Sequence, residues 1–309
     1  MNVAFAAGGT GGHINPALAI ADKLKEVFPD TNILFIGSPD GLEAKLVKKA
    51  GYDFAPVKMA GIQRKLTPNN IKLNFQAVHY YLNAGKCIRK IFDSFSPDLV
   101  IGTGGYVTGT VLKTALKCKI KTALHESNSL PGVSTKMLAS KADLVMLGTE
   151  DAKKHLGECK RCVVTGNPLR NNIPIEEKSA ARKRLGLPDC LTILSAGGSQ
   201  GASRINEAVV HLLAYEQKKG NINHIHGYGK HGKDTFMQSL AENGVDPNNE
   251  HFIIKEYIDN MYTCMCASDL IITRAGAMTL TELMAIGRAS ILIPYPYAAE
   301  NHQYYNALT

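Results

Sequence analysis

The chain has 309 residues, 45% apolar and 20% charged. That length and balance suit about two globular domains and exclude a disordered, collagen-like or low-complexity chain. Its formal charge of +8 resides in the first half: residues 1–160 hold 21 basic and 13 acidic residues, and residues 161–309 hold 14 of each. The segment Phe54–Phe92 has seven basic residues and no acid. Such an asymmetry points to an anionic partner: nucleic acid, a membrane surface or a phosphorylated substrate.

In chain order, Val3–Ala7 reads as a buried strand and Pro16–Phe28 as a helix with Pro16 near its first turn. Met1–Ala21 carries no charge, yet Gly8, Gly9, Gly11, Gly12, His13, Asn15 and Pro16 interrupt it, which argues against a signal peptide. No run reaches the roughly 20 apolar residues of a spanning helix, so the expectation is a soluble or peripheral protein. Strands follow at Asn32–Gly37, Asp98–Gly102, Lys121–His125 and Leu144–Leu147, with helical patterns between. The alternation restarts with a strand at Leu191–Ala196, a helix over about Arg204–Lys218, and strands at Asn223–His226, Phe252–Glu256, Leu270–Thr273 and Ser290–Pro294. Strand–helix alternation means parallel sheets with crossover helices. Two doubly wound α/β domains are expected, 1–165 and 166–309, joined near Gly166–Ile175 where Pro168 and Pro174 interrupt regular structure.

Ala7-Gly-Gly-Thr-Gly-Gly and Ala196-Gly-Gly-Ser-Gln-Gly are near copies, each ending a first strand and opening a first helix. In an open α/β sheet ligands bind at the carboxyl ends of strands, and glycines there let backbone N–H groups approach an anion at a helix N-terminus. Ile14 fills the third glycine slot of a dinucleotide fingerprint, and the second loop lacks the Lys-Ser/Thr of a P-loop. NAD binding and NTP hydrolysis are thereby disfavoured. Gly102–Gly109 is a third glycine-rich loop, as readily a connector as an acceptor site. His125-Glu126-Ser127-Asn128 ends another strand, where its polar side chains would project into a cleft. Ala275–Glu282 opens a helix whose N-terminus can face a phosphate. Glu282 can take ribose hydroxyls, or cap with Thr279 in S/T-x-x-E spacing.

The seven cysteines read as reduced thiols. Cys159-Lys-Arg-Cys162 has C-x-x-C spacing without a second ligand pair, and His224, His226 and His231 match no zinc signature. No Asp-x-Asp occurs. No metal site and no cofactor are therefore expected, and helix dipoles and hydrogen-bond donors are left to carry a diphosphate.

Six segments together resemble the bacterial lipid-linked N-acetylglucosaminyltransferases of peptidoglycan synthesis: Gly8–His13, Gly104–Val107, His125–Asn128, Gly166–Arg170, Gly197–Ala202 and His302–Ala307. The resemblance runs over all 309 residues and implies a GT-B fold, with two Rossmann-like domains facing across a cleft. It implies inverting transfer of N-acetylglucosamine from UDP-GlcNAc to the muramoyl 4-hydroxyl of lipid I, undecaprenyl-diphospho-muramoyl-pentapeptide, giving lipid II. The implied partners are those two substrates and an anionic membrane surface, with no nucleic acid; the implied location is the cytoplasmic face of the membrane, as a peripheral protein. Donor residues carried over are Asn128, Arg170, Ser199, Ile258, Met278, Thr279, Glu282 and Gln303. Thr10, Gly11 and Gly12 fall on the sugar and acceptor side, and Gly104, Gly105 and Tyr106 on the acceptor side. His302 stands where the family usually has a second Gln, and the family continues past the position of Thr309 with helices that return to the first domain.

On this reading uracil lies near Tyr257 and Ile258, ribose on Glu282, and the diphosphate on Ser199 and the helix N-termini after Gly201 and Gly276. His13 is expected as general base, because an imidazole titrates near neutral pH, and Glu126 is the reserve, as base or as the group that orients the acceptor. Ile71, Leu73, Phe75, Val78, Tyr80, Tyr81 and Leu82, with the basic residues around them and Lys113, Lys117, Lys119 and Lys121, suit an interfacial patch. The plain alternative is an amphipathic helix packed on its own sheet. Rival readings are a UDP-GlcNAc epimerase of the same fold, which would not need the basic apolar segment, an NAD-dependent oxidoreductase, and a non-enzymatic binding protein for nucleotide sugars or nucleic acid.

Overall fold

The computed structural model describes residues 1–59, 68–170, 175–198 and 200–309, without the side chains of 68–79, 81–82 and 299. The chain forms two compact units, Met1–Asn171 with Leu308–Thr309, and Asn172–Ala307.

The first unit is built on a seven-stranded parallel sheet. Its strands are β1 (Asn2–Ala6), β2 (Asn32–Gly37), β3 (Asp53–Pro56), β4 (Leu99–Gly102), β5 (Lys121–Glu126), β6 (Leu144–Leu147) and β7 (Cys162–Val164), in the order β3-β2-β1-β4-β5-β6-β7. Every pairing is parallel, with Phe5 of β1 opposite Phe35 of β2 and Ile101 of β4. Side chains alternate across a strand, and β1 separates them into two cores. Val3 and Phe5 join Ile14, Ala17, Leu18 and Ala21 of helix α1 (Gly11–Val27) and Val47 of α2 (Leu42–Lys49). Ala4 and Ala6 join Ala84, Ile88 and Phe92 of α3 (Pro68–Phe95), together with Val107, Val111 and Ala115 of α4 (Gly105–Lys117) and Leu138 of α5 (Val133–Leu138). Both faces are covered, which is why the central strands β1, β2 and β4 read as apolar runs.

The second unit has a five-stranded parallel sheet of β8 (Leu191–Ala196), β9 (Ile222–Gly227), β10 (Phe252–Lys255), β11 (Leu270–Thr273) and β12 (Ala289–Leu292), in the order β10-β9-β8-β11-β12. Its helices are α6 (Lys178–Leu185), α7 (Ser203–Lys219), α8 (Lys233–Glu242), α9 (Met261–Ala267), α10 (Ala277–Ile286) and α11 (His302–Leu308). In each sheet the order reverses beside the first strand, at β1/β4 and at β8/β11. Such switch points leave a crevice at the carboxyl ends of the strands.

Several details depart from the sequence reading. Helix α1 begins at Gly11, and Pro16 lies inside it. The carbonyl of Thr10 accepts the N–H groups of His13 (3.0 Å) and Ile14 (3.2 Å), which winds Gly11, Gly12 and His13 into the first helical turn. Two short edge strands, β3 and β7, were not expected; β7 has three residues with Val163 and Val164 exposed, too brief and open for an apolar signature. The first unit extends past 165 because Thr165 N–H bonds Leu147 O (2.9 Å) and Arg170 Nε reaches Asp22 (2.8 Å).

The basic segment resolves in part. In the described half of α3, Ala84, Ile88 and Phe92 are buried at helical spacing against the sheet, and Lys86, Arg89 and Lys90 point to solvent. That half is an amphipathic helix with its apolar face on its own core. The side chains of Ile71, Lys72, Leu73, Phe75, Val78, Tyr81 and Leu82, and residues Arg64 and Lys65, lie outside the described residues. Lys113, Lys117, Lys119 and Lys121 are exposed, the first two of them on α4, which packs beside α3. No described helix is long and apolar enough to cross a membrane.

Candidate active site

At the first unit's switch point the glycine loops after β1 and β4 close on each other. Gly105, with φ +80°, comes so near the Gly8 carbonyl that a side chain there would overlap it, and a side chain at Gly104 would overlap the His13 ring. Only glycine permits that approach. Thr103 Oγ1 donates to His13 O at 2.7 Å, and Thr108 Oγ1 lies 2.7 Å from Ala6 O and 2.8 Å from Gly104 O. The structure therefore brings Thr10, Gly11, Gly12 and His13 together with Gly104, Gly105 and Tyr106, with the half-buried His13 imidazole on the first turn of α1. The Tyr106 phenol titrates above its ordinary range, first because it is buried and second because Glu43 stands beside it.

Glu126 and Asn128 sit at the end of β5. The Glu126 carboxylate is 5% exposed and accepts four hydrogen bonds. Oε1 takes Asn128 N and Asn128 Nδ2, both at 3.0 Å. Oε2 takes Gly132 N at 2.9 Å and Thr135 Oγ1 at 2.7 Å. It thus braces the turn into α5 and orients the Asn128 amide. His125 beside it is buried, its Nε2 3.4 Å from Gly166 O, its Nδ1 unpartnered, and its pKa lowered by burial.

Arg170, carried over as a donor residue, lies in the first unit. Its Nε bonds Asp22 Oδ2 at 2.8 Å, and Asp22 Oδ1 accepts the Tyr52 hydroxyl at 2.7 Å. Burial, reinforced by that bond, raises the Tyr52 pKa.

In the second unit the glycine loop after β8 packs on the turn after β9. A side chain on Gly229 would overlap Gly201, and Gly201 N–H closes on Gly198 O at 2.9 Å. Ser199 lies outside the described residues. Ile258, after β10, is 4% exposed with its side chain in the core, so it offers a ligand only its backbone, whereas Tyr257 next to it is 59% exposed. Helix α10 starts at Ala277 with Gly276 as N-cap and no side-chain cap. The capping pair expected of Thr279 and Glu282 is therefore not formed, because the helix begins two residues before Thr279. Met278 and Thr279 occupy its first turn, half-buried. Glu282 instead accepts the Tyr262 hydroxyl at 2.9 Å, and burial raises its pKa. Gln303, on the first turn of α11, accepts Tyr295 N–H at 2.8 Å through Oε1.

Arg274 was missed by the sequence reading. It sits just past β11 at the switch point, where Nη1 donates to Ile293 O and Pro294 O, both at 3.1 Å, beneath Tyr295. Its place immediately before Ala275-Gly276 was the available signal. A second finding is a buried chain beneath the β8 loop: Glu216 Oε2 lies 2.8 Å from His224 Nδ1, and Ser195 Oγ lies 2.7 Å from both His224 Nε2 and His226 Nδ1. Among the described residues no group of three or more His, Cys, Asp or Glu is placed to hold a metal ion.

Comparison with known proteins adds the family. Residues 3–147 match the glycosyltransferase family 28 N-terminal domain, and residues 192–309 match the family 28 C-terminal domain. The UDP-N-acetylglucosamine--N-acetylmuramyl-(pentapeptide) pyrophosphoryl-undecaprenol N-acetylglucosamine transferase of Desulforamulus reducens is 42% identical, over 99% of this chain and 82% of its own length. The protein of the same name from Desulfitobacterium hafniense is 41% identical over 99% of this chain and 82% of its own. The crystal structure of Acinetobacter baumannii MurG superposes with a TM-score of 0.73 at 27% identity, covering 99% of this chain and 82% of that one. Two doubly wound parallel sheets are the GT-B arrangement expected of such proteins. The chain belongs to the MurG family of N-acetylglucosamine transferases, within glycosyltransferase family 28.

Proposed function

We infer that the chain transfers N-acetylglucosamine from UDP-GlcNAc to the muramoyl 4-hydroxyl of lipid I, with inversion, giving lipid II and UDP. The observation that carries this reading is identity of about two fifths to transferases of that name over nearly the whole chain. An epimerase or a mere binding protein of the same fold would not require such likeness across both domains. The test is UDP release on mixing the protein with UDP-GlcNAc and a lipid I analogue. One UDP per acceptor consumed is expected; none would overturn the reading.

In the reaction the acceptor oxygen bonds to the sugar C1 as the C1–diphosphate bond breaks, the acceptor proton passes to a base, and UDP leaves. Negative charge grows on the departing diphosphate, so donors already aimed there favour the transition state over the ground state. The N-termini of α7 and α10, with Ser199, are assigned that task. The backbone at Ile258 meets the uracil edge, with Tyr257 exposed beside it, and Met278, Thr279 and Gln303 line the donor side. Asn128 and Arg170 are kept as donor contacts; to serve, Arg170 would use the guanidinium nitrogens that Asp22 leaves over. His13 is assigned as base. The four bonds received by Glu126 favour a positioning role for it, because a base needs a free lone pair toward the substrate.

Glu282 is assigned to the ribose hydroxyls. Glu282→Ala is expected to weaken UDP binding by about 1.5–3 kcal/mol, the worth of hydrogen bonds to a charged group. No cap is lost, but the bond accepted from the Tyr262 hydroxyl is, so thermal stability is measured beside it and a loss of about 1–3 kcal/mol is expected. Unchanged UDP affinity in the folded variant removes Glu282 from the donor site.

The acceptor's lipid tail stays in the bilayer, so the protein is assigned to the cytoplasmic membrane surface as a peripheral protein. Exposed Lys86, Arg89, Lys90, Lys113 and Lys117 on neighbouring helices support this, each basic residue contributing about 1 kcal/mol near an anionic surface and less as salt rises. Sedimentation with anionic liposomes is expected, falling with salt and in a Lys72/Lys86/Arg89/Lys90→Glu variant. Equal binding to neutral liposomes removes the assignment.

A further inference from the structure

Glu43, on the first turn of α2, is a buried carboxylate that neither the sequence motifs nor the proposed mechanism uses. It is 1% exposed, and a charge at such a place is costly unless hydrogen-bonded. Its Oε1 accepts Ser38 N–H at 3.1 Å and the Tyr106 hydroxyl at 3.4 Å, and its Oε2 accepts Gly9 N–H at 3.4 Å. Those three donors come from three different segments: the loop after β2, the first turn of α4 after β4, and the loop after β1. Glycines make room for the carboxylate. A Cβ on Gly8 would stand 2.9 Å from its Oε1, one on Gly37 2.7 Å from its Cγ, and one on Gly41 would overlap the carboxyl group itself. Gly9 has φ +92°, a backbone state reserved for glycine, and its N–H is turned onto Glu43 rather than outward.

We propose that Glu43 is a positioning residue for the acceptor side, its carboxylate holding the Gly8–His13 loop and the Tyr106 phenol in one arrangement. The inference rests on the transferase reading above. A carboxylate already seated against the loop also disfavours an acceptor phosphate at Gly9, because two anions cannot share that cradle. What the loop presents is then the His13 face rather than an anion pocket. The raised pKa of Tyr106, due to burial and then to Glu43, keeps the phenol protonated and donating.

Two measurements test this. The first is steady-state kinetics of Glu43→Gln, Tyr106→Phe and the double variant. Glu43→Gln is expected to lower kcat/KM for the acceptor about tenfold to a hundredfold, the size of one or two lost charge-assisted hydrogen bonds, with donor KM little changed. The double variant should lose less than the product of the single effects, because the two groups share a bond. Unchanged acceptor kcat/KM, an equal loss on donor and acceptor, or strictly multiplicative effects would overturn the proposal. The second is amide hydrogen exchange, which needs no turnover and so separates this idea from the transferase reading. In Glu43→Gln, faster exchange is expected at 8–13, 38–43 and 104–108, with the second unit unchanged. Unchanged exchange at those loops would overturn the proposal, as would loss of protection throughout the first unit. If Glu43→Gln does not fold, Glu43→Asp, which keeps the charge one methylene short of its donors, is expected to give the same pattern in weaker form; wild-type exchange and kinetics in that variant would equally overturn it.

Discussion

His13→Ala is expected to lower turnover by about 10²–10⁴-fold, the usual contribution of a general base, and to leave UDP-GlcNAc affinity within about twofold. His13 sits on the first turn of α1 at the switch point of the first sheet, its ring against Gly104 and its carbonyl fixed by Thr103 Oγ1 at 2.7 Å. The His13 carbonyl is held by Thr103 Oγ1 and the His13 and Ile14 N–H groups by Thr10 O, bonds that truncating the side chain leaves in place. On the reading proposed above, the half-buried imidazole is the group assigned to take the acceptor proton. Glu126, the other candidate, already receives four bonds. Single-turnover rates with isotopically labelled donor would separate chemistry from binding. Loss of the acid limb of the pH–rate profile in His13→Gln should accompany the rate loss. A variant that keeps more than about a third of wild-type turnover would remove His13 as base, since even a weak base contributes about a hundredfold.

Acid is expected to destabilise the second unit between about pH 6.5 and pH 3. His226 is buried with its Nδ1 on Ser195 and its Nε2 unpartnered, and burial, then the neighbouring His224, lowers its pKa to about 3. The unfolded chain would bind a proton there below about pH 6.5. Over that window the unfolded state holds the extra proton, so stability falls as pH falls, by about 1.4 kcal/mol per unit once well below the unfolded pKa. From pH 7 to pH 5 the loss from this one histidine is about 2 kcal/mol. His125 in the first unit, its pKa also lowered by burial, acts in the same direction there. Urea unfolding at the two pH values, in wild type and in His226→Leu, isolates the second-unit contribution. The variant should be less pH-sensitive by that amount; equal sensitivity would show that His226 is not the titrating group. One proton arrangement satisfies all three contacts. With Glu216 accepting from His224 Nδ1–H and Ser195 donating to His224 Nε2, Ser195 Oγ accepts from His226 Nδ1–H, and neutral His226 is left with a bare Nε2.

Much of this protein is local information. Apolar runs such as Asn32–Gly37, Leu144–Leu147, Leu191–Ala196 and Leu270–Thr273 coincide with observed strands, because a strand covered on both faces is predominantly apolar, its few buried polar side chains being hydrogen-bonded, as Ser195 is. The glycine loops lie at strand ends as read, since only glycine tolerates the positive φ found at Gly9, Gly104, Gly198 and Gly201. Helix α1 was placed too late because a proline and four glycines disguise its start, and β3 and β7 were missed because edge strands of three or four residues bury too little to show a pattern. Tertiary structure alone decided what the polar side chains do. Glu126 could have been a free base or a brace, and the choice came from Gly132 and Thr135 folding back onto it. Arg170 found Asp22 at a separation of 148 residues, Tyr106 found Glu43 at 63, and Ser195 found His226 at 31. The pattern of apolar residues encodes which face of an element is buried, through water's exclusion from that face. A hydrogen bond depends on which donor arrives within about 3 Å at the right angle, and only the packed sheet order brings those loops together.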